Sequence, residues 1–216
     1  MTDFESQSNL SRINRDAHVT KPDLYLASSS PRRRDLLKQV GITFELVTGL
    51  DVDESLLEGE TPEQYVVRLA HEKALAGYNK ISCTENDSSL AMIPVLGADT
   101  CIALDGKILG KPADRDDGIR MLQLLSGRSH RVLTAISLVD GGLEQQLMCS
   151  SVVEFKALEL DEIESYWESG EPVDKAGAYA IQGIAAKFIS NLQGSFSAVV
   201  GLPLYELAEM LRTRRQ

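Results

Sequence analysis

Arg32, Arg33 and Arg34 follow Ser28-Ser-Ser-Pro31, directly after the short apolar run Leu24-Tyr-Leu-Ala27. The pattern reads as a strand, a small-residue turn and a helix over 32–40. Ser30 suits the N-cap, Pro31 the first helical position and Gly41 the stop. Free amides and the helix dipole at such an end attract an anion. Arginines oppose that dipole at a cost of about a few tenths of a kcal/mol each, and an anion between them removes the conflict. A solvated basic face is the plainer account. The glycines and the Gly-Lys-Ser/Thr ending of a Walker loop are missing.

Lys73 and Asp99 are out of place in a different way. Val66, Leu69, Lys73 and Ala76 recur at helical spacing, which puts Lys73 on the apolar face of its helix. Lysine is rarely buried alone. It either snorkels to water or carries its ammonium to a phosphate in a cleft. Asp99, in Gly97-Ala-Asp-Thr100, interrupts an apolar strand over 94–104. A lone carboxylate there is expensive to desolvate without a cation or a donor. The Asp105-Gly106 turn sets a hairpin returning through 107–110. Its regular register places Lys111 across from Thr100, beside Asp99. That pair is either a structural salt bridge or part of a reactive site. The acidic loop over 51–60 contributes Asp51-Val-Asp-Glu54. Carboxylates with a polyphosphate suit Mg²⁺ or Mn²⁺.

The run from Asp174 to Gly183, Asp-Lys-Ala-Gly-Ala-Tyr-Ala-Ile-Gln-Gly, has small residues around Tyr179 and Gln182. They let a flat ligand approach the backbone. The Gln182 amide offers an acceptor and a donor side by side, which matches the N3–H and O4 edge of uracil or thymine. A flipped amide serves cytosine, and a loop glutamine bonded to backbone is the bland alternative.

These residues need a scaffold. A second strand is expected over 42–47. Thr61-Pro-Glu-Gln64 is a capping-box start for a helix reaching residue 79. Residues 81–91 are Ser/Asn/Asp-rich and read as a surface insertion. A helix over 114–125 stops at Gly127. Strands over 132–139 and 143–158 flank Gly141-Gly142. A helix over 161–169, strands at 178–181 and 188–189, and a final helix over 203–212 complete the chain. Hairpins mixed with helices give one α/β unit with a mixed sheet.

Composition bounds what this unit does. The 216 residues carry a net charge of −10, which repels nucleic acid and makes any polyphosphate site a local cluster of cations. Cys83, Cys101 and Cys149 show no zinc spacing and suit a reducing cytosol. His18, His71 and His130 are far apart in sequence and read as structural or exposed. No apolar run approaches a membrane span. Residues 1–22 are polar and lack the apolar core of a signal peptide. They are expected to be a flexible extension before a single domain over 23–216.

Together the blocks resemble the Maf family. They are Ala27-Ser-Ser-Ser-Pro-Arg-Arg33, Arg68-Leu-Ala-His-Glu-Lys-Ala74, Gly97-Ala-Asp-Thr100, Gly110-Lys-Pro112, Leu125-Ser-Gly-Arg-Ser-His130, Asp174 to Gly183 and Val200-Gly-Leu-Pro203. The N-terminal extension and the 81–91 insertion depart from the family pattern without touching a motif. The resemblance implies an elongated α/β fold similar to inosine triphosphate pyrophosphatases, with a mixed sheet flanked by helices and a cleft between two lobes. It implies hydrolysis of nucleoside triphosphates between the α and β phosphates with a divalent metal, Mg²⁺ or Mn²⁺. By match to the motifs, Asp99 is the catalytic acid–base residue. Arg32, Thr100 and Gln182 select substrate, and Ser28, Arg33, Lys73 and Lys111 contact phosphates. Glu54 and Asp99 are the metal-site carboxylates. The stretch around Gln182 resembles the dTTP/UTP branch rather than the 7-methyl-GTP branch. A cytoplasmic homodimer without nucleic-acid or membrane partners is expected. The rival readings are a nucleotide-binding regulator of septum formation or cell division without turnover, a broader range taking CTP or modified pyrimidine nucleotides, and a phosphate-binding scaffold with no nucleobase preference.

Overall fold

The computed structural model describes residues 21–84 and 93–214. The expected extension lies almost wholly outside these residues, as does most of the expected insertion. Strand β1 (Leu24–Ala27) leads into helix α1 (Pro31–Gln39), then β2 (Phe44–Leu46) and the long helix α2 (Pro62–Thr84). Strand β3 (Val95–Leu104) turns into β4 (Lys107–Leu109), followed by α3 (Arg115–Leu125). The hairpin β5 (Ser129–Val139) and β6 (Glu144–Phe155) precedes α4 (Leu160–Glu168). After an irregular stretch with two 3₁₀ turns come β7 (Ile189–Gln193), α5 (Phe196–Val200) and α6 (Leu204–Arg214).

Several expectations change. Helix α2 runs to Thr84, so 81–84 are helical rather than part of a surface insertion. Residues 178–181 form no strand. A 3₁₀ turn over Ala176–Ala178 stands there, with Gly177 at φ 64° and Ala178 at φ 59°, and such backbone cannot join a ladder. Helix α5 was not anticipated, because it is only five residues long and carries no full period of apolar spacing. The capping box is as read: Gln64 N donates to Thr61 Oγ1 and Thr61 N to Gln64 Oε1.

The sheet is mixed and seven-stranded, in the order β2-β1-β3-β5-β6-β7 with β4 on β3. β1 is parallel to β2 and β3, and the remaining pairs are antiparallel. One edge of β3 is shared. β1 pairs with Val95 to Gly97 and β4 with Ile102 to Leu104. Because β4 is antiparallel to β3, its end and the end of β1 point at each other across Ala98 to Cys101. That gap in the pairing holds Asp99 and Thr100.

Side chains alternate across β3. Cys101 and Ala103 pack with Val66 and Ala70 of α2 on one face. Leu96, Ala98, Ile102 and Leu104 join the main core with residues of α1, α3, α4, α5 and α6 on the other. Gly97 is the point of closest approach to α2: a Cβ there would overlap the Ala70 carbonyl oxygen and lie 2.5 Å from Ala74 N. Among the described residues no helix is long and apolar enough to cross a membrane.

Candidate active site

Asp99 is buried at 8% exposure in the gap on β3 and faces α2, on the same side as Gly97. Because Gly97 admits the helix closely, Lys73 of α2 reaches the carboxylate: its Nζ donates to Asp99 Oδ1 at 2.7 Å. The same ammonium stands 2.6 Å from Glu54 Oε1. Burial pushes the Asp99 pKa up, against the pull of Lys73 and Arg33, and the Glu54 charge pushes the same way as burial. Burial also opposes ionisation of Glu54, but the Lys73 bond and charge, with Lys111 and Arg33, hold its pKa below the ordinary value. The partner of Asp99 is therefore Lys73 and not Lys111, as hairpin register alone predicts. Pairing between β3 and β4 ends at Ile102 and Leu109, so Lys111 lies beyond the ladder. There it is exposed and its charge acts on Glu54.

The loop bearing Glu54 is anchored from α2. Tyr65 Oη donates to the Glu54 carbonyl at 2.9 Å, and Arg68 binds both oxygens of Glu60 and the Ser55 carbonyl. The Arg68-to-Ala74 motif thus builds one wall of the site: Arg68 fixes the acidic loop and Lys73 serves its carboxylate.

Thr100 points to the opposite face of β3, where Arg33 meets it. Arg33 Nε donates to the Gly201 carbonyl at 2.8 Å, Nη1 to Ser28 Oγ at 3.0 Å and Nη2 to Thr100 Oγ1 at 3.2 Å. Burial lowers the Arg33 pKa and the charge of Asp99 opposes that. Thr134 of β5 gives its one hydroxyl proton to the Ala198 carbonyl at 2.7 Å. In its 3.0 Å contact with Thr100, then, Thr100 is the donor. Helix α5 and Gly201, at φ 132°, supply the carbonyls that orient this set, which accounts for the Val200-to-Pro203 motif.

Arg32 lies within electrostatic reach of Tyr166 of α4. Burial lowers its pKa, and its Nε is buried without a hydrogen-bond partner. The loop of Gln182 docks on the end of β4 through Gly177 N donating to the Gly110 carbonyl at 2.9 Å. Tyr179 is buried, and its hydroxyl meets His130 Nε2 at 2.8 Å. Gln182 itself is exposed, and its side chain makes no hydrogen bond among the described residues, so it is not spent on holding its own loop. The structure thus brings Ser28, Arg33, Glu54, Lys73, Asp99 and Thr100 into one linked set with Lys111 in electrostatic reach. Sequence reasoning missed Thr134 and the pair Tyr166 and Glu171, in which the Tyr166 hydroxyl donates to the Glu171 carboxylate; their types are unremarkable in strand, helix and loop.

No group of three His, Cys, Asp or Glu able to hold a metal occurs among the described residues. Two carboxylates from different elements, Glu54 and Asp99, nonetheless converge on one cation, the Lys73 ammonium. That donor set fits Mg²⁺ or Mn²⁺, which is commonly held by one or two carboxylates together with substrate phosphates.

The Maf-like protein family model matches residues 23–214. The chain is 51% identical over 191 residues to a dTTP/UTP pyrophosphatase of Alkalilimnicola ehrlichii, covering 88% of this chain and 92% of that one. It is 50% identical over 192 residues to a dTTP/UTP pyrophosphatase of Hydrogenovibrio crunogenus, covering 89% and 96%. It is 50% identical over 189 residues to a dTTP/UTP pyrophosphatase of Photobacterium profundum, covering 88% and 95%.

Proposed function

Because the chain belongs to the Maf-like family, we propose that it is a nucleoside triphosphate pyrophosphatase, hydrolysing dTTP and UTP to the monophosphate and pyrophosphate. The observation that carries this reading is identity of about half the residues, along nearly the whole chain, with proteins named for that activity. The gap on β3 supplies what the reaction needs.

A triphosphate brings several negative charges into one place. Arg32, Arg33 and Lys111 face that charge, and Ser28 adds a hydroxyl. Lys73 turns from the carboxylates to the phosphates as they arrive. Cations preorganised around developing charge lower the barrier without reorganising during the reaction. Asp99 is the general base. An ordinary aspartate, at a pKa of about 3.9, is a weak base. Burial moves Asp99 upward, toward the range where proton abstraction from water is effective. Glu54 and Asp99 would hold a divalent cation, Mg²⁺ or Mn²⁺, which when bound adds positive charge against the phosphate oxygens and acidifies water. The Asp99 carboxylate accepts the proton of the attacking water, the α-phosphorus is attacked, and pyrophosphate leaves. Gln182 reads the N3–H and O4 edge shared by uracil and thymine, and Thr100 and Arg32 hold the nucleotide beside it. The free thiols of Cys83, Cys101 and Cys149 suit the cytosol, and a homodimer is the assembly we assign.

The test is release of monophosphate and pyrophosphate from dTTP, UTP, CTP and GTP, with and without Mg²⁺ or Mn²⁺. Metal-dependent turnover of dTTP and UTP above the others is expected. Tight binding with no product would replace the enzyme by a regulator.

A further inference from the structure

We infer that Glu171 is a positioning residue for base selection, holding Gln182 in its reading position from the end of α4; this rests on the assignment of Gln182 above. The carboxylate of Glu171 gathers three donors. Tyr166 Oη donates to Oε1 at 2.8 Å, Ile184 N to Oε2 at 2.8 Å and Ala185 N to Oε1 at 3.2 Å. The same Tyr166 oxygen accepts from Ala180 N at 3.2 Å. One carboxylate and one phenol therefore fasten both ends of the segment 180–185, and Gly183 N closes it on the Ala180 carbonyl at 3.1 Å.

Within that segment each residue has a defined place. Ile181 is buried in the main core, whereas Gln182 at the turn is exposed, with its amide uncommitted among the described residues. A Cβ at Gly183 would overlap Glu171 Oε2, so a side chain there would push the carboxylate from its hydrogen bonds. The carboxylate thus fills the space under the turn. Burial alone would raise the Glu171 pKa, but the two amides, the phenol and Lys175 together hold it below the ordinary carboxylate value. It remains an ionised acceptor, the strongest kind for backbone N–H groups. Tyr166 also lies within electrostatic reach of Arg32.

Fastening of this kind acts on recognition, not on the chemical step. A loosened loop removes a contact made equally in the ground and transition states, which raises KM and leaves kcat alone. The experiment measures kcat and KM for dTTP, UTP and GTP in wild type, Glu171→Ala, Glu171→Gln, Tyr166→Phe and Gln182→Ala. For Glu171→Ala, KM for dTTP and UTP rises about tenfold with kcat within about twofold, while GTP use is unchanged. Glu171→Gln, which keeps one accepting oxygen, and Tyr166→Phe, which keeps the ring in the core, fall between this and wild type. Adding Gln182→Ala to Glu171→Ala removes no further selectivity, because both act through one contact. An equal loss for all three nucleotides, or a loss in kcat, makes Glu171 a stability residue and overturns the inference. If Gln182→Ala abolishes selectivity while the Glu171 and Tyr166 variants keep it, the clamp fails alone. If wild type shows no preference, or Gln182→Ala preserves one, the base-reading assignment fails and this inference fails with it. Should Glu171→Ala not fold, Glu171→Gln and Tyr166→Phe decide the matter.

Discussion

Lys73 Nζ lies 2.7 Å from Asp99 Oδ1, with the two side chains only 15% and 12% exposed. Lys73 is the principal counter-charge of Asp99 and shares its ammonium with Glu54, 2.6 Å away. Lys73→Met leaves Asp99 in a dry place facing Glu54. Removing one member of such a pair costs about 3 kcal/mol or more, or roughly 6–12 °C in Tm for a domain of this size. Turnover should fall about 100-fold or more with the cation gone. Adding Asp99→Asn should restore most of the lost Tm and none of the activity. A double variant as unstable as Lys73→Met would mean that the helix and strand are held together by something else.

Gly97 sets how near α2 comes to β3. A Cβ at this position meets helix backbone, which cannot swing aside as a side chain can. Gly97→Ala should cost about 3 kcal/mol, at the upper end of overpacking effects, and should also lower activity by drawing Lys73 from Asp99. Calorimetry with the dTTP assay checks both. Wild-type Tm would contradict the packing described for this face.

His130 is 2% exposed, and burial lowers its pKa from 6.5 to about 4. In the imidazolium both ring nitrogens carry an N–H, and Nδ1 has no hydrogen-bond partner among the described residues. The unfolded chain takes up the proton near pH 6.5 and the folded chain only near pH 4. This group's contribution is therefore complete above about pH 6.5 and is lost as pH falls between those values. The amount is on the order of 3 kcal/mol. His130→Gln should flatten the fall of stability between pH 6.5 and 4.5, measured as urea unfolding free energies. Parallel pH curves for the two proteins would contradict the buried neutral imidazole.

Much of this site was legible in the sequence because its members break local rules. A carboxylate in an apolar strand, a lysine on an apolar helix face and arginines at a helix start each demand a partner, and Asp99, Lys73 and Arg33 have one. Which partner was not legible. Hairpin register pairs Asp99 with Lys111, but the choice between two cations depended on how closely α2 packs at Gly97, a tertiary distance. Thr134, Tyr166 and Glu171 break no rule locally, and their roles exist only once α4, β5 and the 174–183 segment meet. The 178–181 strand failed for a related reason. Its apolar run is a buried loop with left-handed backbone at Gly177 and Ala178, which alternation cannot reveal.

The central claim is that water attacks the α-phosphorus with Asp99 as its base. Hydrolysis of dTTP in ¹⁸O-labelled water, with mass analysis of the products, tests it most directly. Label in dTMP, unlabelled pyrophosphate, and turnover reduced about 10³-fold in folded Asp99→Asn are expected. Label in pyrophosphate, release of dTDP and phosphate, or near wild-type turnover by Asp99→Asn would contradict it.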